Sequence, residues 1–157
     1  MRPIRTKGTT APDFTLLTDT GEPLKLSSLR GRPVVLFFYP RDNTPACTLE
    51  ACELRDAFPQ VDTSSAVILG ISPDSVRKHK RFRERFALPY HLLADTEHVV
   101  AETYGVWGQK TLWGLKYVGV LRTTFVIDAM GQIAHVFEKV RVSGHAAEVM
   151  EAVAALK

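Results

Sequence analysis

The sequence predicts an α/β fold, a mixed β-sheet with helices on both faces. Three observations carry this. Segments of strand character alternate with segments of helical character, in an early β-α-β-α order that implies parallel strands joined by right-handed crossovers. Val34 to Tyr39 and Ala66 to Ser72 are continuous apolar runs, as expected of strands covered on both faces. Near the end, Thr123 to Ile127 and Gln132 to Glu138 flank the turn sequence Asp128-Ala129-Met130-Gly131, which adds an antiparallel hairpin.

In chain order, Phe14 to Leu17 is a short strand candidate, followed by a turn at Thr20-Gly21-Glu22-Pro23. Gly31-Arg32-Pro33 turns the chain into the Val34 to Tyr39 strand. Pro45 opens a helix that runs to about Phe58, and Ala66 to Ser72 follows as the second buried strand. Asp74 to Phe86 is a helix, with Ser72 to Asp74 as its cap region. Leu92 to Ala94 reads as a short strand and Glu97 to Tyr104 as a short helix. Residues 105–120, rich in glycine and aromatics, read as a loop. Gly144 to Leu156 forms a terminal helix. No repeat, low-complexity tract or linker interrupts the chain, and its 157 residues fit one domain over 1–157.

Composition narrows the function classes. An apolar content of 45% with 24% charged residues marks an ordinary globular chain, long enough to bury a core without staples. No run approaches the ~20 apolar residues of a membrane helix, so no membrane association is expected. Met1 to Gly8 has no apolar signal region, and the expected compartment is the cytoplasm. Net charge is +3 and the pI about 9. The densest basic run, Arg77 to Arg85, has Val76, His79, Phe82 and Phe86 recurring at helical spacing, which is an amphipathic helix with a solvated basic face. No nucleic-acid motif or stacking platform accompanies it. The two cysteines, Cys47 and Cys52, are spaced C-x4-C, not the C-x2-C of zinc ribbons and thioredoxin-like dithiols. No histidine stands at metal-ligand spacing from them, so no zinc site is expected.

The informative stretch is Phe37 to Phe58, FFYPRDNTPACTLEACELRDAF. The strand runs out near Pro40, Thr44 suits an N-cap, and Pro45 suits the first helical position. Cys47 then falls at the third helical position, where backbone N–H groups lack intrahelical partners and the dipole end is positive. Both favour a thiolate over a thiol. Cys47 shares a face with Ala51, Leu54 and Phe58, whereas Cys52 lies about 140° round the helix. Five residues of helix separate their Cα atoms by about 8.7 Å, beyond the roughly 7 Å that a disulfide spans. Any bond between the two sulfurs requires the first turns to unwind.

At these residues the chain resembles the peroxiredoxins, and within them the bacterioferritin comigratory protein or peroxiredoxin Q branch. The P-x-x-x-[TS]-x-x-C motif stands here as Pro40-Arg41-Asp42-Asn43-Thr44-Pro45-Ala46-Cys47, with the branch's second cysteine at Cys52. Ala11-Pro12-Asp13-Phe14 and Leu29 to Leu36 match the family's opening; Trp107-Gly108-Gln109-Lys110, Tyr117-Val118-Gly119 and Arg122 to Asp128 match its later part. Ala46 replaces a common glycine and Gln109 a common glutamate.

The resemblance implies a thioredoxin-like fold and a thiol-dependent peroxidase that reduces hydrogen peroxide and organic hydroperoxides. It assigns Cys47 as the attacking cysteine, oxidised to a sulfenic acid, and Cys52 as the thiol that resolves it into an intramolecular disulfide. Thr44 aligns the peroxide, alongside or instead of capping the helix. Arg122 supplies a fixed positive charge; its plain alternative is a surface cation. Pro40 covers the sulfur or simply ends the strand. Glu50 pairs with Arg122 or is a solvated helix residue. Thioredoxin is the implied reductant, the chain is expected to act as a monomer, and no metal, flavin or haem is called for. Two other functions share the fold: a thiol–disulfide carrier without peroxidase activity, and a binding domain that kept only the architecture. Cys47→Ser is expected to abolish peroxide consumption; retained turnover in a coupled assay would remove Cys47 from the nucleophile role.

Overall fold

The computed structural model describes residues 2–63 and 66–156. Among them a seven-stranded sheet runs in the order β2-β1-β5-β4-β3-β8-β9, and a separate two-stranded sheet pairs β6 with β7. The strands are β1 (Thr15–Thr18), β2 (Pro23–Lys25), β3 (Val34–Phe38), β4 (Val67–Ser72), β5 (His91–Ala94), β6 (Trp107–Leu112), β7 (Leu115–Val120), β8 (Thr123–Ile127) and β9 (Ile133–Phe137). The helices are α1 (Pro45–Thr63), α2 (Val76–Phe86), α3 (Val99–Thr103) and α4 (His145–Ala154).

The central strands β3, β4 and β5 are parallel, joined through α1 and α2. β8 then lies antiparallel against β3, and β9 against β8. Alternation along β3 divides the core in two. Val35, Phe37 and Tyr39 face Leu54, Phe82 and Val149 of α1, α2 and α4. Val34, Leu36 and Phe38 face Val100, Ala101 and Tyr104, from α3 and its end. The mixed sheet covered by helices on both faces is therefore as the sequence predicts, and β3 is buried at every position.

Several boundaries differ from the sequence expectation. The 105–120 segment is a β-hairpin, not a loop. Trp113 and Gly114 both take positive φ, 51° and 79°, in a two-residue connection between Leu112 and Leu115. Most of its residues are exposed, so it carries no alternating apolar pattern, and Trp-Gly is not the usual Asn-Gly signal. Pro23, placed in a turn by the sequence, begins the edge strand β2, where a missing N–H is tolerated. A 3₁₀ turn, Leu26–Leu29, follows. Helix α1 continues through Pro59 to Thr63 rather than stopping near Phe58, since proline φ is helical and a single missing hydrogen bond does not end a long helix. Helix α2 starts at Val76, capped by Ser75, whose hydroxyl accepts from the Lys78 N–H, and not by Ser72 to Asp74.

Gly70 is closely packed within the central sheet. A Cβ there would fall 2.8 Å from Phe37 Cζ and 2.9 Å from a Leu92 methyl. Gly70→Ala is expected to destabilise the protein by about 1–3 kcal/mol, measured by urea unfolding; an unchanged midpoint would show that the two side chains yield without strain.

Candidate active site

Strand β3 delivers the chain to a loop at the carboxyl end of the parallel strands, the usual ligand position in α/β sheets. In that loop Asn43 has φ 63°, a left-handed conformation that asparagine tolerates well. The Thr48 N–H donates to the Thr44 carbonyl at 2.9 Å, which makes Thr44 the cap residue and Cys47 the third residue of α1. The Thr44 hydroxyl donates its one proton back to the Arg41 carbonyl at 2.9 Å, leaving its lone pairs as acceptors. Cys47 is 1% exposed and packs with Ala51 and Leu54, as the helical spacing predicts.

Arg122 reaches this point through sheet register. Phe38, at the end of β3, pairs with Thr123, at the start of β8. The residue before Thr123 therefore arrives beside the end of β3. Its guanidinium makes two charge-assisted bonds: Nη2 donates to Cys47 Sγ at 3.1 Å, and Nη1 donates to Glu50 Oε1 at 2.6 Å. Glu50 stands three residues after Cys47, on the same helical face. Burial opposes the Arg122 charge, but Glu50 and Cys47 outweigh it and hold the guanidinium more firmly charged.

Glu50 is 1% exposed, and burial pushes its carboxyl up from 4.5 to about 7; Arg122 opposes this, and the neighbouring Glu53 adds to it. Its Oε2 has no hydrogen-bond partner among the described residues, so the ionised form is stabilised through Oε1 alone. A half-satisfied buried carboxylate is a strained arrangement.

The remaining expected residues fall around this centre. Pro40 is half-buried at the exit of β3, and Cys52 is half-buried with a free thiol. Both cysteines lie within the unbroken helix α1. Lys110, on β6, places its ammonium 2.9 Å from the Val120 carbonyl, two residues before Arg122. Its pKa is lowered by burial and by Arg122, with Cys47 opposing. Sequence reasoning missed a buried polar cluster beneath the loop. Asp42, Asp74 and His79 bring ligand-type atoms within 4.8 Å of one another. Asp42 and His79 are 37 positions apart, so no local spacing signals it. These groups hydrogen-bond to one another and to the backbone, which accounts for their burial without a cation.

The Glu50 shift has a signed consequence. A carboxyl whose folded value lies above its unfolded one favours the folded state most below about pH 4.5, and this contribution is lost as pH rises through about 7. The loss is at most about 3 kcal/mol. Glu50→Gln is therefore expected to be more stable relative to wild type at pH 8 than at pH 5, measured by denaturation at both. Equal differences at the two pH values would mean that Glu50 ionises normally.

Comparison with known proteins places this arrangement. The AhpC/TSA family model matches residues 7–136. A putative peroxiredoxin Bcp of Coxiella burnetii is 50% identical over 143 residues, covering 91% of this chain and 95% of the relative. Peroxiredoxin Bcp of Bacillus subtilis is 46% identical over 144 residues, covering 92% of each. Among solved structures, the bacterioferritin comigratory protein of Xanthomonas campestris, studied for alkyl peroxide reduction, superposes with a TM-score of 0.86 at 32% identity over 90% of each chain. Peroxiredoxin Q of Xylella fastidiosa gives a TM-score of 0.91 at 29% identity over 98% of each. The chain belongs to the AhpC/TSA family, and it is a peroxiredoxin, an enzyme that reduces peroxides on a thioredoxin-like fold.

Proposed function

We propose that Cys47 is the attacking residue, that Cys52 resolves its oxidised form, and that residues 1–157 carry out this cycle as one domain. The observation that carries the reading is the Arg122 guanidinium, which donates to Cys47 Sγ while Glu50 holds it in place. A fixed cation bonded to the sulfur favours the thiolate, and so does the helix start.

The thiolate attacks the outer peroxide oxygen. The S–O bond forms as the O–O bond breaks, and the departing oxygen leaves as water or an alcohol after taking up the peroxide's proton. Negative charge moves from sulfur toward that oxygen, and Arg122 faces both atoms. Thr44 offers lone pairs to the O–H of the incoming peroxide, because its own proton is directed to Arg41. Pro40 shields the sulfur from water. Cys47 is then a sulfenate, which takes a proton from solvent to become the sulfenic acid.

The Cys52 thiolate attacks that sulfur next, releasing hydroxide that is protonated to water, and a Cys47–Cys52 disulfide forms. Two residues five apart in one helix do not reach each other, so this step requires the first turns of α1 to open. A dithiol protein of the thioredoxin type then reduces the disulfide by exchange and is itself oxidised. Since both cysteines lie in one chain, a monomer suffices, and the cytoplasm supplies such a reductant.

The test is a thioredoxin-coupled assay on wild type and Cys52→Ser. The variant is expected to consume about one peroxide per chain and then stall until a small thiol is added. Sustained thioredoxin-driven turnover without Cys52 would overturn the resolving role, and wild type that turns over only with small thiols would overturn the proposed reductant.

A further inference from the structure

The loop that leads into Thr44 and the start of α1 is held from beneath by groups with no part in the chemistry above. Asp42 is 7% exposed although it lies in a connecting loop. Its Oδ1 accepts from the Tyr39 hydroxyl at 2.6 Å, and its Oδ2 lies 2.8 Å from His79 Nδ1. Its backbone N–H donates to Asp74 Oδ2 at 2.8 Å, an oxygen that also accepts from the Ser72 hydroxyl at 2.6 Å. His79 is fully buried, and its Nε2 lies 3.0 Å from the Leu93 carbonyl, so that nitrogen carries a proton. A second proton must lie between Nδ1 and Oδ2, since two lone pairs do not approach to 2.8 Å. Tyr39 just past β3, Asp74 between β4 and α2, and His79 of α2 thus converge on one loop residue, two positions before Thr44, while Ser72 of β4 and Leu93 of β5 brace Asp74 and His79 in turn.

Helix α1 has a second anchor. The Tyr90 hydroxyl, buried, donates to the Ala51 carbonyl at 2.7 Å. Between Asp42 and Ala51 the Arg122 contacts to Cys47 and Glu50 tie the helix start to β8. Attack on Cys47 converts the anionic acceptor of one of those contacts into a neutral sulfenic acid, which weakens it. The contacts to Asp42 and Ala51 do not involve the sulfur.

We infer that Asp42, clamped by His79, Asp74 and Tyr39, is a positioning residue for Cys47 and the fixed near end of the segment that opens when the disulfide forms. Ala51, held by Tyr90, is the far end, so Cys47 moves and Cys52 stays. The pivot half of this inference rests on the resolving role proposed for Cys52; the positioning half does not. A clamped loop aims the sulfur and Thr44 at the peroxide together, and a loose loop leaves the folded protein with a misaligned pair.

The experiment separates the two chemical steps. Sulfenic acid formation with hydrogen peroxide is timed in a Cys52→Ser background, and disulfide formation is timed in the two-cysteine protein. Asp42→Ala and His79→Ala are expected to slow the first step about 10-fold or more, while the sulfenic acid closes to the disulfide at least as fast as in wild type. Asp42→Asn, which keeps an acceptor for Tyr39 and a donor toward Nδ1, is expected to restore most of the first-step rate. An unchanged first step, or an equal fall in both steps, overturns the positioning role. Should the alanine variants fail to fold, amide exchange on wild type decides the pivot. The Asp42 N–H is expected to stay protected in the disulfide form while those of residues 46–48 exchange faster; loss of protection at Asp42 together with them overturns it. A wild type that never forms the disulfide defeats the Cys52 assignment instead, and the first-step comparison still judges Asp42.

Discussion

A single guanidinium spans the sulfur and a carboxylate inside the protein, and the surrounding architecture makes that contact possible. Arg122 bonds both Cys47 and Glu50, and those two groups sit on one face of one helix. The cation therefore fixes the helix start and the thiol together. Its position comes from the antiparallel pairing of β8 with β3, which sets Thr123 opposite Phe38. A slip of one residue in that pairing would turn Arg122 to the other face of the sheet. The buried apolar strands thus serve the chemistry indirectly, since their packing fixes a register and the register fixes a charge.

The charges at the site are finely balanced. Burial raises the Glu50 carboxyl to about 7 against the opposing pull of Arg122. When ionised, it competes with Cys47 for the guanidinium; when protonated, it leaves more of that positive charge to the sulfur. The neighbouring Lys110, with its ammonium on the Val120 carbonyl, adds positive field from the hairpin side. On the role proposed for Cys47, this excess of cation over anion stabilises the negative charge that the reaction passes from sulfur to the departing oxygen.

The proposed cycle sets the same helix two opposing demands. Attack on peroxide is served by an intact first turn, with Thr44 at the cap and Cys47 three residues in. Disulfide formation needs that turn to open. Contacts sensitive to the charge on sulfur lie within the turn, and contacts indifferent to it lie at Asp42 and Ala51. In the proposed cycle the turn opens above a sheet whose strands β3 and β4 are paired from Val34 to Phe38.

The sequence by itself determined six of the seven strands of the main sheet, the helix that carries both cysteines, the placement of Cys47 at its start, and the inability of the two sulfurs to bond within it. Those features follow from local periodicity, capping and helical rise, which neighbouring residues encode. Motif likeness extended this to Arg122, whose partner Glu50 was foreseen only as one of two alternatives. The exposed β6–β7 hairpin escaped because a ribbon with little buried face has no apolar alternation to read, and α1 ran past Pro59 because proline φ is helical and one missing hydrogen bond does not end a long helix. Only the tertiary structure decided that His79, spaced like an ordinary apolar-face residue of α2, meets Asp42 across 37 positions. That pairing is a contact between elements, and its partners are chosen by the stacking of α2 on the sheet rather than by anything adjacent in the chain.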